Sequence, residues 1–178
     1  MTKTCSRRVL VAAAPIGLLG ATAHAENLKI DIATARFTPA LTGGGPPPVW
    51  SPVDDGRRKV LAQTSADRTD ERFPLAVFEQ PMAADLDVAV RFKAVAGEVD
   101  RAAGIAFRLS DAGNYYVVRA NALEDNVRLY RVVKSRRVQF AGSNVKVASG
   151  VWHELKIGAR GNRFEVFFNG RSLYSATD

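Results

Sequence analysis

Residues 103–121 read AGIAFRLSDAGNYYVVRAN, and the alternation of side-chain type along them decides the fold. Ile105, Phe107 and Leu109 fall on one side of an extended chain and Arg108 on the other, because successive side chains of a strand point to opposite faces. Ser110-Asp111-Ala112-Gly113 then supplies turn chemistry. The chain re-enters a strand from Asn114 to Ala120, with Tyr116 and Val118 on one face and Tyr115, Val117 and Arg119 on the other. Both faces of that second strand carry apolar residues, so it is expected at the centre of a sheet.

The same grammar extends in both directions from this hairpin. Asp85 to Lys93 places Leu86, Val88, Val90 and Phe92 together, opposite Asp87, Arg91 and Lys93. Asn126 to Lys134, Arg136 to Ala141, Trp152 to Arg160, Phe164 to Asn169 and Ser172 to Ala176 continue it, and Phe168-Asn169-Gly170-Arg171 reads as a two-residue hairpin turn. Lys59 to Gln63 is a further short strand. No stretch carries a helical stripe. About eight short antiparallel strands at hairpin spacing indicate an all-β sandwich or barrel.

Upstream the pattern fades. Residues 26–49 contain Gly43-Gly44-Gly45-Pro46-Pro47-Pro48 and read as an irregular lead-in to a domain spanning residues 50–178. Residues 1–25 have the build of a cleavable export signal: Arg7 and Arg8, an apolar run from Val9 to Ala23 of about 15 residues, and a small-x-small site at Ala23-His24-Ala25. A spanning helix requires roughly 20 apolar residues. The expectation is therefore a soluble mature chain, periplasmic or secreted, with no stable membrane insertion. The paired arginines fit a twin-arginine signal and an ordinary secretory one, and both routes stay open.

Cleavage before Glu26 would remove Lys3, Arg7 and Arg8, which lowers the net charge of the 178-residue chain from +7 to +4. It would also remove the only cysteine, Cys5, and so any disulfide, thiolate catalysis or cysteine-ligated metal. The remaining charge is a mild bias, well short of the basic stripe of a nucleic-acid binder.

The segments Ala103 to Leu109, Asn114 to Asn121, Trp152-His153-Glu154-Leu155 and Phe168-Asn169-Gly170 together resemble the concanavalin A-like lectin/glucanase superfamily. Within it they are similar to the secreted bacterial domains described as family-16 glycoside hydrolase-like, 3-keto-disaccharide hydrolase-like or laminin-G-like, over Trp50 to Asp178. The resemblance implies a jelly roll of two stacked antiparallel sheets with carbohydrate on the concave face or its rim. It does not imply turnover, since that scaffold hosts lectins, adhesion modules and hydrolases. Such relatives continue past the position of Asp178 with a Gly-rich strand and a last strand that pairs near the N-terminal one. The expectation here is a jelly roll lacking its last strands.

Glycoside hydrolysis needs two carboxyl groups at a defined separation. Glu98 and Asp100 resemble the start of the hydrolase signature E-x-D-x-x-E, but Ala103 stands where its third acid belongs, and Val95-Ala96-Gly97 reads as a turn. The catalytic candidates are Glu124 and Asp100. The ligand-binding candidates are Arg108, Asn114, Tyr115, Arg119, Asn121 and Glu124, whose amides, guanidinium groups and carboxylate match paired sugar hydroxyls, with the aromatic ring available for stacking. Against this, asparagines cap strand ends and arginines form surface ion pairs. His153, alone after loss of His24, and the two tryptophans Trp50 and Trp152 read as structural. Arg128, Arg131, Lys134, Arg136, Arg137 and Lys146 make the middle of the chain basic, either as a solvated surface or as a face for an anionic polysaccharide or envelope lipid. No cofactor and no metal site is expected; the acids lack calcium-loop spacing, and calcium at the rim stays open. The leading expectation is thus an exported carbohydrate-binding, lectin-like β-sandwich whose partner is a glycan or a glycan-bearing molecule. A glycoside hydrolase and a non-catalytic envelope interaction module are the alternatives.

Overall fold

The computed structural model describes residues 3–11, 26–32, 34–56, 58–78 and 83–178, and within them every regular element is a strand. In chain order they are β1 (Lys3–Val11), β2 (Glu26–Leu28), β3 (Thr38–Gly43), β4 (Trp50–Asp54), β5 (Lys59–Gln63), β6 (Arg72–Val77), β7 (Leu86–Lys93), β8 (Ala102–Asp111), β9 (Asn114–Asn121), β10 (Asn126–Val133), β11 (Arg136–Asn144), β12 (Trp152–Arg160), β13 (Arg163–Phe168) and β14 (Arg171–Thr177). They form an eight-stranded sheet ordered β14-β13-β12-β7-β1-β5-β4 with β2 beside β1, a four-stranded sheet ordered β11-β10-β9-β8, and a separate β3-β6 pair. Every pairing is antiparallel. Among the described residues no helix is long and apolar enough to cross a membrane.

Alternation builds the sandwich. Along β12 the side chains of His153, Leu155, Ile157 and Ala159 are buried while those between them are not, and β13 does the same with Phe164, Val166 and Phe168. These meet Val118 and Ala120 of β9, Val127 and Leu129 of β10, and Ile105 and Phe107 of β8, forming one continuous core with Val90 and Phe92 of β7. The centre is aromatic: Phe164 lies 5.8 Å from Phe107, 5.2 Å from Tyr116 and 5.9 Å from Phe140 between ring centroids. Rings at those separations add to the stabilisation from apolar burial. As its two apolar faces require, β9 is an interior strand.

Two local details follow from residue type. Asn169 and Gly170 both have positive φ, 49° and 78°, the backbone of the two-residue turn that matches strand twist, and the Asn169 side chain locks the turn by accepting from the Glu154 N–H. The Asn169 amide also donates to His153 Nδ1, whose Nε2–H reaches the Ala148 carbonyl. His153 is therefore spent on structure, stacked 5.0 Å from Phe168.

The N-terminal part differs from a plain lead-in. Thr38–Gly43 pairs with Arg72–Val77 to make a two-stranded strap, within which Thr42 is buried. A second small core of Ile30, Ile32, Leu61 and Ala76, flanked by Trp50, ties this region to β5. Lys3–Val11, inside the segment read as an export leader, pairs with both β5 and β7 and joins them into one sheet in the full-length chain. The rest of that leader, with the Ala23-His24-Ala25 cleavage site, lies outside the described residues.

Candidate functional site

The four-stranded sheet turns its second face away from the core, and the register decides what appears there. Gly104 pairs with Arg119 and Arg119 with Arg128, while Ala106, Val117 and Tyr130 lie side by side one step further along. Small residues on β8 leave a hollow beside the long ones of β9 and β10. Gly104 is obligatory at this place, because a Cβ there would run into the Val118 carbonyl of the neighbouring strand.

Two structures wall the hollow. On one side the strap lies against the sheet, where the Thr42 hydroxyl bonds to the Ala112 carbonyl at 2.5 Å and to the Tyr115 hydroxyl at 2.9 Å. Phe73 of the strap packs over the Arg137 guanidinium, 3.8 Å from ring centroid to Cζ, and the Tyr130 ring lies 4.6 Å from the same carbon. On the other side the loop before β8 is pinned by Arg101, which donates to the Gly97 carbonyl and to Ser149 Oγ. An Arg68–Glu98 ion pair of 2.9 Å links the loop before the strap to the loop before β8. The open cavity that includes this hollow, and that reaches as far as Ile30, Leu61 and Phe78, measures about 1530 Å³. Typical small-molecule clefts hold ~300–1,000 Å³, so the groove has the capacity for more than one sugar ring.

At its floor Arg119 bridges two acids. Its guanidinium donates to Glu124 Oε2 at 2.7 Å and lies 3.4 Å from Asp100 Oδ2, with its Cζ 5.5 Å from the centroid of the Tyr130 ring. The Arg119 side chain is only 12% exposed, and its Nε–H finds no acceptor among the described residues. Glu124 is held below the ordinary carboxylate range, first by the hydrogen bond from the Asn126 amide at 2.9 Å and then by the Arg119 charge, against an opposing cost of burial. A glycosidase acid requires the opposite shift, a carboxyl kept protonated near neutrality. The arrangement suits recognition, offering a planar fork of donors between two acceptors.

The expected site residues separate into two groups. Arg119, Glu124 and Asp100 come together. Tyr115 shares their face of β9, but the strap covers it to 4% exposure and Thr42 takes its hydroxyl, which burial keeps in the protonated form by raising its pKa. Asn121 is buried; its Oδ1 accepts from the Leu123 N–H, and its side chain also hydrogen-bonds the Glu124 carboxylate, which places it beside the Arg119–Glu124 pair. Asn114 lies at the far end of β9, where its amide bonds the Asp111 carboxylate and its Oδ1 takes the Lys134 N–H. Arg108 sits on a β-bulge with a φ of 49°, which turns its side chain to the Ala84 carbonyl and to the Phe164 ring, away from Arg119. Trp50 and Trp152 donate their indole N–H groups to the Leu75 carbonyl and to Asp55. Phe73, Tyr130 and Arg137 were not among the expected site residues. Alternation places Arg137 opposite Arg136, yet nothing local in the sequence shows that Phe73 will reach it from 64 positions away. Among the described residues no group of three or more His, Cys, Asp or Glu side chains is arranged to hold a metal ion.

Comparison with known proteins gives one informative match. No protein-family model matches the chain, and no curated protein does. Among solved structures it is similar to the carbohydrate-binding module CBM66 from Bacillus subtilis, with a TM-score of 0.60 and 20% identity, covering 79% of each chain. At that identity the likeness shows the fold, a β-sandwich of antiparallel sheets.

Proposed function

We propose that this protein is an exported carbohydrate-binding module that holds a glycan in the groove over the four-stranded sheet without turning it over. The observation that carries the reading is the Asp100–Arg119–Glu124 cluster at the groove floor, beside the Tyr130 ring. Guanidinium donors and carboxylate acceptors held together in one groove are the groups that recognise paired sugar hydroxyls. The sandwich shared with a carbohydrate-binding module supports it, as does the resemblance of the strand motifs to secreted glycoside hydrolase-like and laminin-G-like domains. Periplasmic or secreted location follows from the leader reading. Of the two acids, Glu124 is the one a hydrolase would need, and its lowered pKa favours binding over proton donation.

A glycan array probed with the purified protein tests the proposal. The expected result is binding to at least one glycan class, weakened at least ~10-fold by Arg119→Ala and by Glu124→Gln, as for loss of a charge-assisted hydrogen bond. No binding to any glycan, or binding that both variants leave unchanged, would overturn it. Release of reducing sugar that Glu124→Gln abolishes in a folded protein would replace binding by hydrolysis.

A further inference from the structure

The two groove arginines differ in what they have to bond with. Arg119 is engaged with two carboxylates. Arg137 makes no hydrogen bond and no ion pair among the described residues, although its guanidinium carries five N–H donors. It is clamped between two rings, Phe73 at 3.8 Å and Tyr130 at 4.6 Å. Clamping fixes the orientation of the guanidinium plane, and stacking leaves the donors on its edge unspent. Burial disfavours its charge and the nearby Arg119 charge adds to that cost, which the Asp100 charge offsets only in part. A partly desolvated cation with a fixed fork and no ion pair among the described residues is a poor device for packing and a good one for receiving an anion.

The neighbourhood sharpens the choice of ligand. Arg119 lies on the same Tyr130 ring, 5.5 Å from its centroid, and its buried Nε–H is without an acceptor. Two guanidinium groups with spare donors thus flank one aromatic ring in one groove. We propose that the glycan is acidic, a polymer or oligosaccharide of uronic acid residues, with a uronate carboxylate received by Arg137. The inference rests on the carbohydrate reading above. A planar carboxylate matches the guanidinium fork bidentately, as a neutral hydroxyl pair does only weakly.

Affinity electrophoresis of the full chain through gels containing polygalacturonate, alginate or glucuronoxylan tests it. Each acidic polymer is paired with its carboxyl-reduced, neutral form, and dextran sulfate, which carries no uronate, serves as the sulfated comparator. The expected result is that one uronate polymer binds at least tenfold more tightly than its reduced form. Arg137→Gln should bring the acidic polymer down to the affinity of the reduced one, and Arg137→Lys, which keeps the charge and loses the fork, should fall between. Arg136→Gln removes the same charge one residue away on the opposite strand face, and it should leave retardation unchanged. Equal binding of acidic and reduced forms, or binding of neutral glycans alone, overturns the uronate assignment and leaves carbohydrate binding standing. Preference for dextran sulfate over every uronate polymer overturns the carboxylate. An equal loss in Arg136→Gln and Arg137→Gln reduces the effect to net charge and overturns the site. Failure to bind any glycan overturns both readings together.

Discussion

Replacement of Arg119 by methionine, which keeps the stem and deletes the charge, isolates the electrostatics of the groove floor. In the native protein the guanidinium is 12% exposed and contacts Glu124 at 2.7 Å and Asp100 at 3.4 Å. Breaking a fully buried pair costs ~3–5 kcal/mol, and an exposed one ~0–1 kcal/mol. Because Glu124 and Asp100 are 52% and 36% exposed, solvent screens what remains and the expected loss at pH 7 is about 1–3 kcal/mol. At ~2–4 °C per kcal/mol for a chain of this size, the midpoint of thermal unfolding should fall by about 2–12 °C. The pH dependence gives the sharper test. The folded-state pKa of Glu124 lies below its ordinary value of 4.5, so its contribution is present above that value and is lost as pH falls through the folded pKa. In the variant Glu124 loses that cation, and its carboxyl no longer draws the same stability from being ionised. The stability gap between native protein and variant should therefore be widest near neutrality and shrink steadily below the ordinary carboxylate range. Paired thermal melts from pH 7 down to pH 3.5 measure it. A gap of constant size, or one that widens in acid, would mean that Arg119 acts through packing alone and would refute the electrostatic account.

Two further substitutions probe the frame that holds the groove. Thr42→Val keeps the shape but removes the hydroxyl that bonds Ala112 and Tyr115; leaving the buried Tyr115 hydroxyl without a partner should cost about 1–3 kcal/mol in urea unfolding and speed proteolysis within the strap, whereas native-like resistance would show that the strap is held by packing. Gly104→Ala should destabilise by at least ~2 kcal/mol, since its new methyl group meets a backbone carbonyl that cannot swing aside, and a melt within 2 °C of the native one would contradict that reading.

The sandwich could be read from the sequence because alternation is a local signal and each of its strands carries its own. Trp152 to Arg160 buries every second side chain as its pattern demands, and Asn169-Gly170 marks its turn by residue type alone. The strap lacks such a mark. Thr38–Gly43 has no alternation and pairs with Arg72–Val77 about 34 residues later, a contact that depends on the rest of the fold being in place. The site expectation failed in part for the same reason. Asn114 has a short amide that serves its own turn, and the bulge at Arg108 inverts the side assigned by strict alternation. Arg119 and Glu124 could be found because five residues separate them across a single turn, and Phe73 and Arg137 could not.

The hydroxyl of Thr42 reaches across 70 residues of chain to the carbonyl of Ala112, and that reach has a kinetic meaning. Closing so long a loop repays its entropy only after the β8–β9 hairpin exists, so the strap docks late in folding and is expected to open early, without global unfolding. Its amides should then exchange with solvent by sub-global opening, faster than those of β12. A glycan lodged in the groove beside Phe73 would draw on that opening equilibrium and slow the exchange. Occupancy of the groove would be readable as protection of a segment that carries none of the acids on its floor.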